Sequence, residues 1–566
     1  MIMKKTKRID LSEKRLAHIA DKHYNEGEFI SALRFAYSQY DKFGASYEVF
    51  ERFADIYEGM GLHGSAINWW YRALDIAYKE DLPDIYESLA VNYMNIGNEM
   101  SSAFYYKQLV EIDATLPPEV KIEIAQAFAK DKKDNFRVVY PPEQADYSKE
   151  IETGSQALKA GNYNYAIRVL SSVAEGSKQY AEAREMCAVA NLLKGETAEA
   201  ERICKEILEI VPNDVRTLAT LCAVYLEQDR KEESKEIALR LNAMSITDMD
   251  ELYKVATVCC ENGLHKEAYE KFCVLEQKMR YDGRMLYFKA VSAYKCGLLT
   301  EAKNTLGVLC DIYPDAEVAK FYLRALIEQE ETGEPSCEPS YYYHLPQEER
   351  EARASVLVEM SKANKDEAEL FGMIALQEGY FRWCFDEMDG SDHDLQYLAL
   401  ICAERARADS FMEEVFLDHE VLDVLKIEAL RMLYERNEEA TWGIVFYNMY
   451  KRVHITPIKV GRKKRKAFVC GYARLASKFV LVNAEYDEKL KTAVERLYAV
   501  LEASNQLDLA KDDTDIACVA FFVAGLKELG ADRNDVIGAF EANAENVDKL
   551  LLAYEGNYEE RKDEAD

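Results

Sequence analysis

The sequence is poor in the features that mark disulfide scaffolds and membrane proteins. Its thirteen cysteines form no C-x-x-C pair and stand at alanine-like positions of helical patterns, so zinc and thioredoxin chemistry lack support. No apolar run approaches the length of a membrane span, and the basic N-terminus lacks the apolar stretch of a signal peptide. We therefore expect a cytoplasmic protein, because unpaired thiols suit a reducing compartment.

Histidine and enzyme motifs are also scarce. The eight histidines include no H-E-x-x-H, and the sequence contains neither G-x-S-x-G nor a Walker motif. His393 and His419 are each flanked by acidic residues that could help to bind a metal or orient a base, but their separation is not a coordination spacing. The sequence therefore predicts no enzyme activity, no metal and no cofactor.

Proline is rare as well, with 11 residues in 566, while hydrophobic residues make up 49% of the chain. This composition predicts a chain that folds nearly throughout.

One short motif suggests a nucleotide-binding site, because Gly59, Gly61 and Gly64 have the G-x-G-x-x-G spacing of a dinucleotide-binding turn. That motif needs a preceding strand, whereas YEVFERFADIYEG before it has helical periodicity.

An internal repeat of 34 residues explains these glycines. Gly161, Gly195, Asp229, Gly263 and Gly297 follow one another at this interval, and a small residue stands five positions after each of them. A small residue also stands seven positions before each of these turn residues, and a branched apolar residue stands twelve positions after each. Glycine ends a first helix in the left-handed conformation, and the small residues allow two antiparallel helices to pack closely.

These columns resemble the tetratricopeptide repeat, a 34-residue pair of helices. Three further units fit upstream, with their turn glycines at Gly27, Gly61 and Gly97, so that eight units cover most of residues 13 to 316. The resemblance implies an all-α fold: a helical-hairpin solenoid of about eight repeats, followed by a mainly helical C-terminal domain. A small β-hairpin is predicted in WGIVFYNMYKRVHITPIKV, where β-branched and aromatic residues cluster.

Breaks in the repeat predict the domain organisation. We expect an N-terminal block of three repeats and a capping helix at 10–132, and a second block of five repeats and a capping helix at 147–331. Proline-rich and turn-forming stretches at 133–146 and 332–346 are predicted linkers. A mainly helical domain follows at 347–555, and an acidic tail at 556–566 ends the chain.

The resemblance also predicts a peptide-binding groove, because the second, fifth, ninth and twelfth positions of each unit face the concave surface in this family. The groove residues predicted in this way are acidic in the first block and apolar or aromatic in the second: Asp21, Glu51, Asp55, Glu58, Glu87, Leu158, Leu192, Leu226, Tyr253, Tyr287 and Tyr294. Two other interpretations remain open. The acidic face could simply be solvated, and the apolar column could be covered by a neighbouring helix.

The net charge of −31 disfavours broad contact with nucleic acid or anionic membrane, yet residues 440–484 contain no acidic residue and ten basic ones. The densest cluster, KVGRKKRKAF, gives the candidate anion-binding residues Lys459, Arg462, Lys463, Lys464, Arg465 and Lys466. This segment could be a solvated loop, a nuclear-import signal, or a patch for RNA, DNA or another anionic partner. It could also dock onto the acidic first block, within one chain or in a homodimer.

The sequence thus predicts a non-enzymatic scaffold or adaptor that holds a protein or peptide segment in its repeat surface. The alternative is an adaptor for nucleic acid or phosphate that uses the basic segment 451–478. The partner's identity does not follow from a repeat fold, because such folds host unrelated functions.

Overall fold

A computed structural model describes residues 12–113, 115–127, 141–335, 337–363, 365–386, 392–436, 438–455, 463–480, 486–525 and 533–563. These residues are overwhelmingly helical and contain one small antiparallel sheet. The predicted all-α fold, with repeated helical hairpins and a small β-hairpin, is confirmed. Among the residues described, we find no helix with both the length and the apolarity that crossing a bilayer would require.

The chain divides into two compact units, and each takes segments from distant parts of the sequence. Unit 1 comprises Met1–Lys42, Pro117–Arg350 and Asp386–Gly390, and unit 2 comprises Phe43–Leu116, Glu351–Phe385 and Ser391–Asp566. Because the repeats are distributed over both units, each unit is described separately.

Unit 1 contains repeats one and four to eight. Its helices are α1 (Glu13–Asn25), α2 (Phe29–Phe43), α7 (Pro118–Ala127), α8 (Ser148–Lys159), α9 (Tyr163–Leu170), α10 (Tyr180–Leu193), α11 (Thr197–Ile210), α12 (Val215–Glu227), α13 (Lys231–Asn242), α14 (Met249–Glu261), α15 (His265–Leu275), α16 (Gly283–Lys295), α17 (Leu299–Ile312) and α18 (Glu317–Thr332). The last residue of α2 falls in unit 2, and α19 (Gln347–Lys362) begins in unit 1 and continues in unit 2.

Unit 2 contains repeats two and three together with the C-terminal region. Its elements are α3 (Tyr47–Gly59), α4 (His63–Ile76), α5 (Leu82–Asn95), α6 (Glu99–Ile112), α20 (Lys365–Gln377), α21 (Tyr380–Trp383), α22 (His393–Arg405), α23 (Asp409–Leu417), α24 (Asp423–Glu435), β1 (Ala440–Phe446), β2 (Met449–Ile455), α25 (Lys463–Leu475), α26 (Tyr486–Ala503), α27 (Asp513–Val523), α28 (Arg533–Ala539) and α29 (Ala544–Asp563). A π-helical turn, Ala476–Val480, extends α25, and one apolar cluster includes Phe468, Leu497, Phe521 and Leu550.

The turn between the two helices of a repeat is left-handed, as the glycine column predicts. Gly61 has φ +78°, and the amide of Leu62 donates to the carbonyl of Tyr57, which satisfies a helix-end carbonyl. Asp229 replaces glycine in the sixth repeat and still adopts φ +57°. Gly61 therefore lies between α3 and α4, and the G-x-G-x-x-G spacing has no strand before it.

The small-residue columns lie where the two helices of a pair touch. Ala54 and Ala66 are completely buried in repeat two, as are Ala188 and Ala200 in repeat five. At Gly154 a side chain would have no room, because an added methyl group would lie 2.5 Å from Leu170. Interiors packed this closely penalise even one extra methylene, so these columns fix the distance between the helices.

The hairpin of unit 2 pairs Ala440 with Ile455 and Phe446 with Met449. Its two turn residues, Tyr447 and Asn448, have φ values of +49° and +58°, the left-handed pair that a two-residue hairpin turn requires. This conformation is costly for tyrosine, so other contacts must hold the turn in place.

Candidate peptide-binding surface

The acidic residues predicted to face the groove have unequal surroundings. Glu58 accepts hydrogen bonds from Trp70 Nε1 and Asn92 Nδ2, both at 2.6 Å, and so helps to join repeats two and three. Glu51 is partly buried, accepts a long 3.4 Å hydrogen bond from the Tyr47 hydroxyl, and has a pKa raised mainly by burial. Asp55 in unit 2 and Asp21 in unit 1 are partly buried, and only Glu87 is exposed.

The leucines at the twelfth position of repeats four to six lie on α8, α10 and α12 of unit 1. Leu158, Leu192 and Leu226 are all partly buried, and Leu158 packs against the apolar cluster that includes Leu170 and Cys187. Leu158 therefore combines a packing contact with an exposed portion, and Leu192 and Leu226 are exposed in part as well. We call this first-helix region of repeats four to six the leucine surface.

A buried carboxylate accompanies the leucine surface, and sequence reasoning did not single it out. Glu185 occupies the fifth position of repeat five, is 7% exposed, and accepts a 2.9 Å hydrogen bond from the Thr220 hydroxyl on the next first helix. Its position in the repeat was the available signal, because the fifth position is one of those expected to face the groove.

Aromatic residues of repeat eight contact an extended segment of the same unit, Glu338–Leu345, which we call the strap. The Tyr287 hydroxyl donates a 2.8 Å hydrogen bond to the carbonyl of Ser340. From the helix that follows repeat eight, the Tyr322 hydroxyl donates a 3.0 Å hydrogen bond to the carbonyl of His344. The strap lies within the stretch for which composition predicts a linker.

Side chains of the strap alternate between the unit and the solvent. Pro339 and Leu345 are buried, Tyr341 and Tyr343 are partly buried, and Tyr342 between them is 72% exposed. Alternation with a period of two is the pattern of an extended chain that packs one of its two faces against a surface.

Tyr341 of the strap has a polar contact and an aromatic one. Its hydroxyl lies 2.9 Å from Nδ1 of His265, and its ring centre is 6.2 Å from that of Phe288. The ammonium of Lys295 lies 5.6 Å from the centre of the same ring, within cation–π range. Burial and nearby Lys295 lower the pKa of His265, which favours the neutral imidazole.

Tyr343 is the more deeply held of the two. Its ring meets that of Tyr287 edge to face, with centres 4.7 Å apart, and its hydroxyl donates a 2.9 Å hydrogen bond to Asp386. Asp386 also accepts a bond from the amide of Val318 in the first turn of α18, where helix termini favour negative charge. Burial raises the pKa of Tyr343, so its hydroxyl stays protonated and able to donate.

The two remaining predicted tyrosines lie at the edges of this site. Tyr253 makes edge-to-face contacts with Phe272 and Phe288, and burial raises its pKa to about 12. Tyr294 is partly buried, and burial and Glu338 of the strap raise its pKa. The first helix of repeat eight therefore contacts an extended peptide that belongs to the chain itself, and Cys260 on the first helix of repeat seven contacts Tyr341 of the same peptide.

Unit 2 also holds one of its own segments, here the hairpin tip. The hydroxyls of Tyr71 and Tyr105 both donate to the carbonyl of Asn448, at 2.8 and 3.0 Å. Tyr105 also accepts from the amide of Tyr450, and Tyr93 completes a buried cluster of three tyrosines. These bonds, together with those from the amide of Tyr447 to Asp423, hold the strained turn.

The two histidines named as metal or catalytic candidates, His393 and His419, differ in burial and in their contacts. His393 begins α22 and is exposed, while the buried His419 makes a 2.8 Å hydrogen bond to Asn68, and burial lowers its pKa. Among the described residues, three potential metal ligands converge at His23, Glu26 and Glu28, where His23 already contacts Glu28 at 2.7 Å. Neither His393 nor His419 belongs to such a group.

The basic segment is only partly described. Lys459 and Arg462 lie outside the described residues, and Lys463, Lys464 and Arg465 begin α25 with side chains that are not described. Lys466 is exposed. Anion binding, a nucleic-acid partner and a homodimer therefore stay predictions.

Comparison with known proteins identifies the class of repeat. The model of the tetratricopeptide repeat family matches residues 157–223, which run from the last turn of α8 through α9, α10 and α11 into α12. The chain thus contains tetratricopeptide repeats, and the resemblance drawn from the glycine and small-residue columns is confirmed. A search of curated proteins found no match.

Solved structures resemble this chain only distantly. A tetratricopeptide repeat protein from Parabacteroides merdae is 15% identical, covers 50% of this chain and 98% of its own, and has a TM-score of 0.25. YrrB, described as having an unusual peptide-binding site, is 15% identical over 32% of this chain and 92% of its own, with a TM-score of 0.25. Yeast Tom70 is 12% identical over 75% and 91%, with a TM-score of 0.24. Similarity this low transfers no partner or activity.

Proposed function

We propose that this chain is a non-enzymatic scaffold whose first helices bind extended segments of other proteins. The observation that carries the proposal is the strap, because hydroxyls from Tyr287 and Tyr322 donate to its main-chain carbonyls. Hydrogen bonds to a peptide backbone supply affinity that does not depend on sequence, and adjacent side-chain contacts add selectivity. The strap thus provides an example of the contacts proposed for a partner.

The leucine surface is the proposed site for such a partner. Leu158, Leu192 and Leu226 repeat along consecutive first helices, so a bound segment would meet a regular row of apolar groups. Glu185 and Thr220 lie on the same helices, buried and hydrogen-bonded to each other, and so join two of these first helices. A mainly apolar surface with few polar groups suits an amphipathic or apolar peptide. The acidic residues Glu51, Asp55 and Glu87 remain a second predicted contact region, suited to a basic segment.

A peptide-selection experiment tests this proposal. The full chain is used to select binders from a library of short random peptides displayed on phage, and the selected peptides are titrated against variants by fluorescence anisotropy. Leu192→Asp should weaken binding at least about 10-fold, because a buried contact is lost and an unpaired charge is introduced.

The matched control is Ile210→Asp, which makes the same kind of change at a 64% exposed position at the end of a second helix. This variant should bind the selected peptides within about twofold of the unchanged chain, since surface changes away from a contact cost little. Equal losses in both variants, or selected peptides that ignore Leu192→Asp, would place binding elsewhere and overturn the proposal.

A further inference from the structure

We propose that the surface of α14, α16 and α18 recognises a partner segment of the pattern P-x-Y-x-Y-x-L, and that the strap is a built-in competitor for it. This inference rests on the proposed function, since it assumes that first helices bind extended protein segments. It adds two points: the sequence pattern of the partner segment, and the occupation of the site by the strap when no partner is bound.

Two main-chain contacts hold the backbone of the occupant. Tyr287 and Tyr322 donate to the carbonyls of Ser340 and His344, which are four residues apart on an extended chain. Two donors at this spacing can bind any extended peptide through two carbonyls four residues apart, whatever its side chains. They leave the choice of sequence to the side-chain contacts.

The side-chain contacts favour tyrosine at two alternate positions. The Tyr341 hydroxyl contacts the partly buried His265, and the Tyr343 hydroxyl donates to the buried Asp386, so phenylalanine at either place would leave a polar group without this partner. The rings also pack on Phe288 and Tyr287, which requires an aromatic side chain. Tyr342, which points outward, is free to vary.

Leucine and proline close the two ends of the pattern. Leu345 is completely buried, and Pro339 is buried at the other end of the strap. Proline suits an extended peptide because it fixes φ and reduces the entropy lost on binding. The pattern P-x-Y-x-Y-x-L thus follows from which strap residues face the unit.

The strap is tethered between α18 and α19, which gives it an advantage over a separate peptide. Short flexible linkers produce effective concentrations in the range of about 1 mM. A peptide with an intrinsic Kd of about 10 μM would therefore bind the unchanged chain about 100-fold more weakly than a chain whose strap is disabled. Only a partner with high affinity or several contacts would displace the strap.

The test uses the full chain with the strap disabled by Tyr341→Ser and Tyr343→Ser. A fluorescent peptide with the sequence of residues 338–347, EPSYYYHLPQ, is titrated by anisotropy against this variant and against the unchanged chain. We expect about 100-fold tighter binding to the disabled variant. Adding Tyr287→Phe and Tyr322→Phe should then weaken binding about 5-fold for each hydroxyl removed.

Two altered peptides test the pattern. Serine in place of the tyrosine equivalent to Tyr342 should leave affinity within about twofold, whereas serine at both flanking tyrosines should lower it at least about 100-fold, as the disabled strap requires. Equal binding of the two altered peptides, or no binding to a disabled variant that keeps its helical circular dichroism, overturns the inference. If the disabled variant binds the unchanged chain instead and forms a dimer, the occupant is a second copy and the proposed partner is wrong.

A second measurement applies if the disabled variant fails to fold. The same peptide, with photoleucine at the position equivalent to the buried Leu345, is crosslinked to the unchanged chain at concentrations of about 1 mM, sufficient to compete with the tether. Crosslinks should map to α14, α16 or α18, and their absence there overturns the inference. The outcome is distinguishable from failure of the proposed function, because binding that depends on Leu192 does not involve the strap.

Discussion

At the scale of single residues, the buried tyrosines of unit 2 show how a few hydroxyls can hold a strained turn. Tyr105 donates to the carbonyl of Asn448 and accepts from the amide of Tyr450, so Tyr105→Phe leaves two partly buried main-chain groups without this partner. We expect unit 2 to lose about 1–3 kcal/mol of unfolding free energy. Urea titrations followed by tryptophan fluorescence measure this loss, because all four tryptophans lie in unit 2.

The control for this substitution is Tyr78→Phe, which removes a hydroxyl from a side chain that is 76% exposed. Its effect should stay within about 0.5 kcal/mol, since water replaces whatever the hydroxyl contacts. If Tyr105→Phe were no more damaging than Tyr78→Phe, the tyrosine cluster would not be what holds the hairpin tip.

Lys426 gives unit 2 a specific dependence on pH. Its ammonium is buried against the carbonyls of Asp418 and Val445, and burial lowers its pKa to about 8 from 10.5, although Asp418 and Asp423 act in the opposite direction. Between these two values the unfolded chain binds more protons at this lysine than the folded chain does. Stability contributed by this group must therefore rise as the pH increases through that window.

We expect Lys426→Met to remove this contribution, because methionine has similar length and no charge. The unfolding free energy of the unchanged chain should rise, relative to that of the variant, by about 2 kcal/mol between about pH 7.5 and about pH 9.5. Urea titrations at several pH values give this difference, in which the titration of other groups largely cancels. Parallel pH profiles would show that Lys426 ionises as it does in water.

At the scale of elements, the hairpin of unit 2 packs against α4 through a position that tolerates no side chain. A methyl group added at Gly443 would overlap the carboxylate of Asp75, which accepts a 2.5 Å hydrogen bond from Tyr450. Gly443→Ala should therefore displace the hairpin and cost about 1–3 kcal/mol, as overpacking does. Tryptophan fluorescence again reports the change, since Trp442 lies in β1.

Gly538→Ala in α28 provides the comparison within the same unit. A methyl group there would meet nothing within 4 Å, and alanine favours a helix interior, so this variant should be neutral or more stable by up to about 1 kcal/mol. If Gly443→Ala changed the unfolding free energy no more than Gly538→Ala does, the close packing described for β1 would be wrong.

The helix pairs could be predicted from the sequence because their determinants are local. Gly61 and Ala66 specify a turn and a close contact within one repeat, and the period of 34 residues multiplies that signal. The β-hairpin was likewise visible in a run of β-branched and aromatic residues. Even Asp229, the exception in the glycine column, keeps the left-handed turn, because the remainder of its repeat determines the backbone there.

The occupants of the repeat surfaces could not be predicted in this way. The bond from Tyr287 to Ser340 spans 53 residues and that from Tyr71 to Asn448 spans 377, and no repeat period encodes such distances. Composition predicts a linker at 332–346, because proline and turn-forming residues surround it. The three consecutive tyrosines of SYYYHL were the available signal, since solvated linkers rarely carry so much apolar area.

At the scale of the whole molecule, the chain returns to each unit after leaving it. Unit 2 combines repeats two and three with the C-terminal region, so the second repeat packs on residues more than 300 positions later: Asn68 contacts Asp418, a separation of 350. Assembly of unit 2 must therefore await the C-terminal segments, because these long-range contacts close large loops.

Removing residues 391–566 should consequently destabilise repeats two and three as well as the deleted region. The deletion keeps Asp386 and every described residue of unit 1, but it takes the hairpin from Tyr71 and Tyr105 and the loop at Asp418 from Asn68. Hydrogen exchange should show lost protection in α4 and α6, which lose the partners named above, and retained protection in α10 to α17, whose own unit is kept. If α4 and α6 stay as protected as in the full chain, repeats two and three are stable without the C-terminal region. The hairpin would then not be needed for the stability of these two repeats.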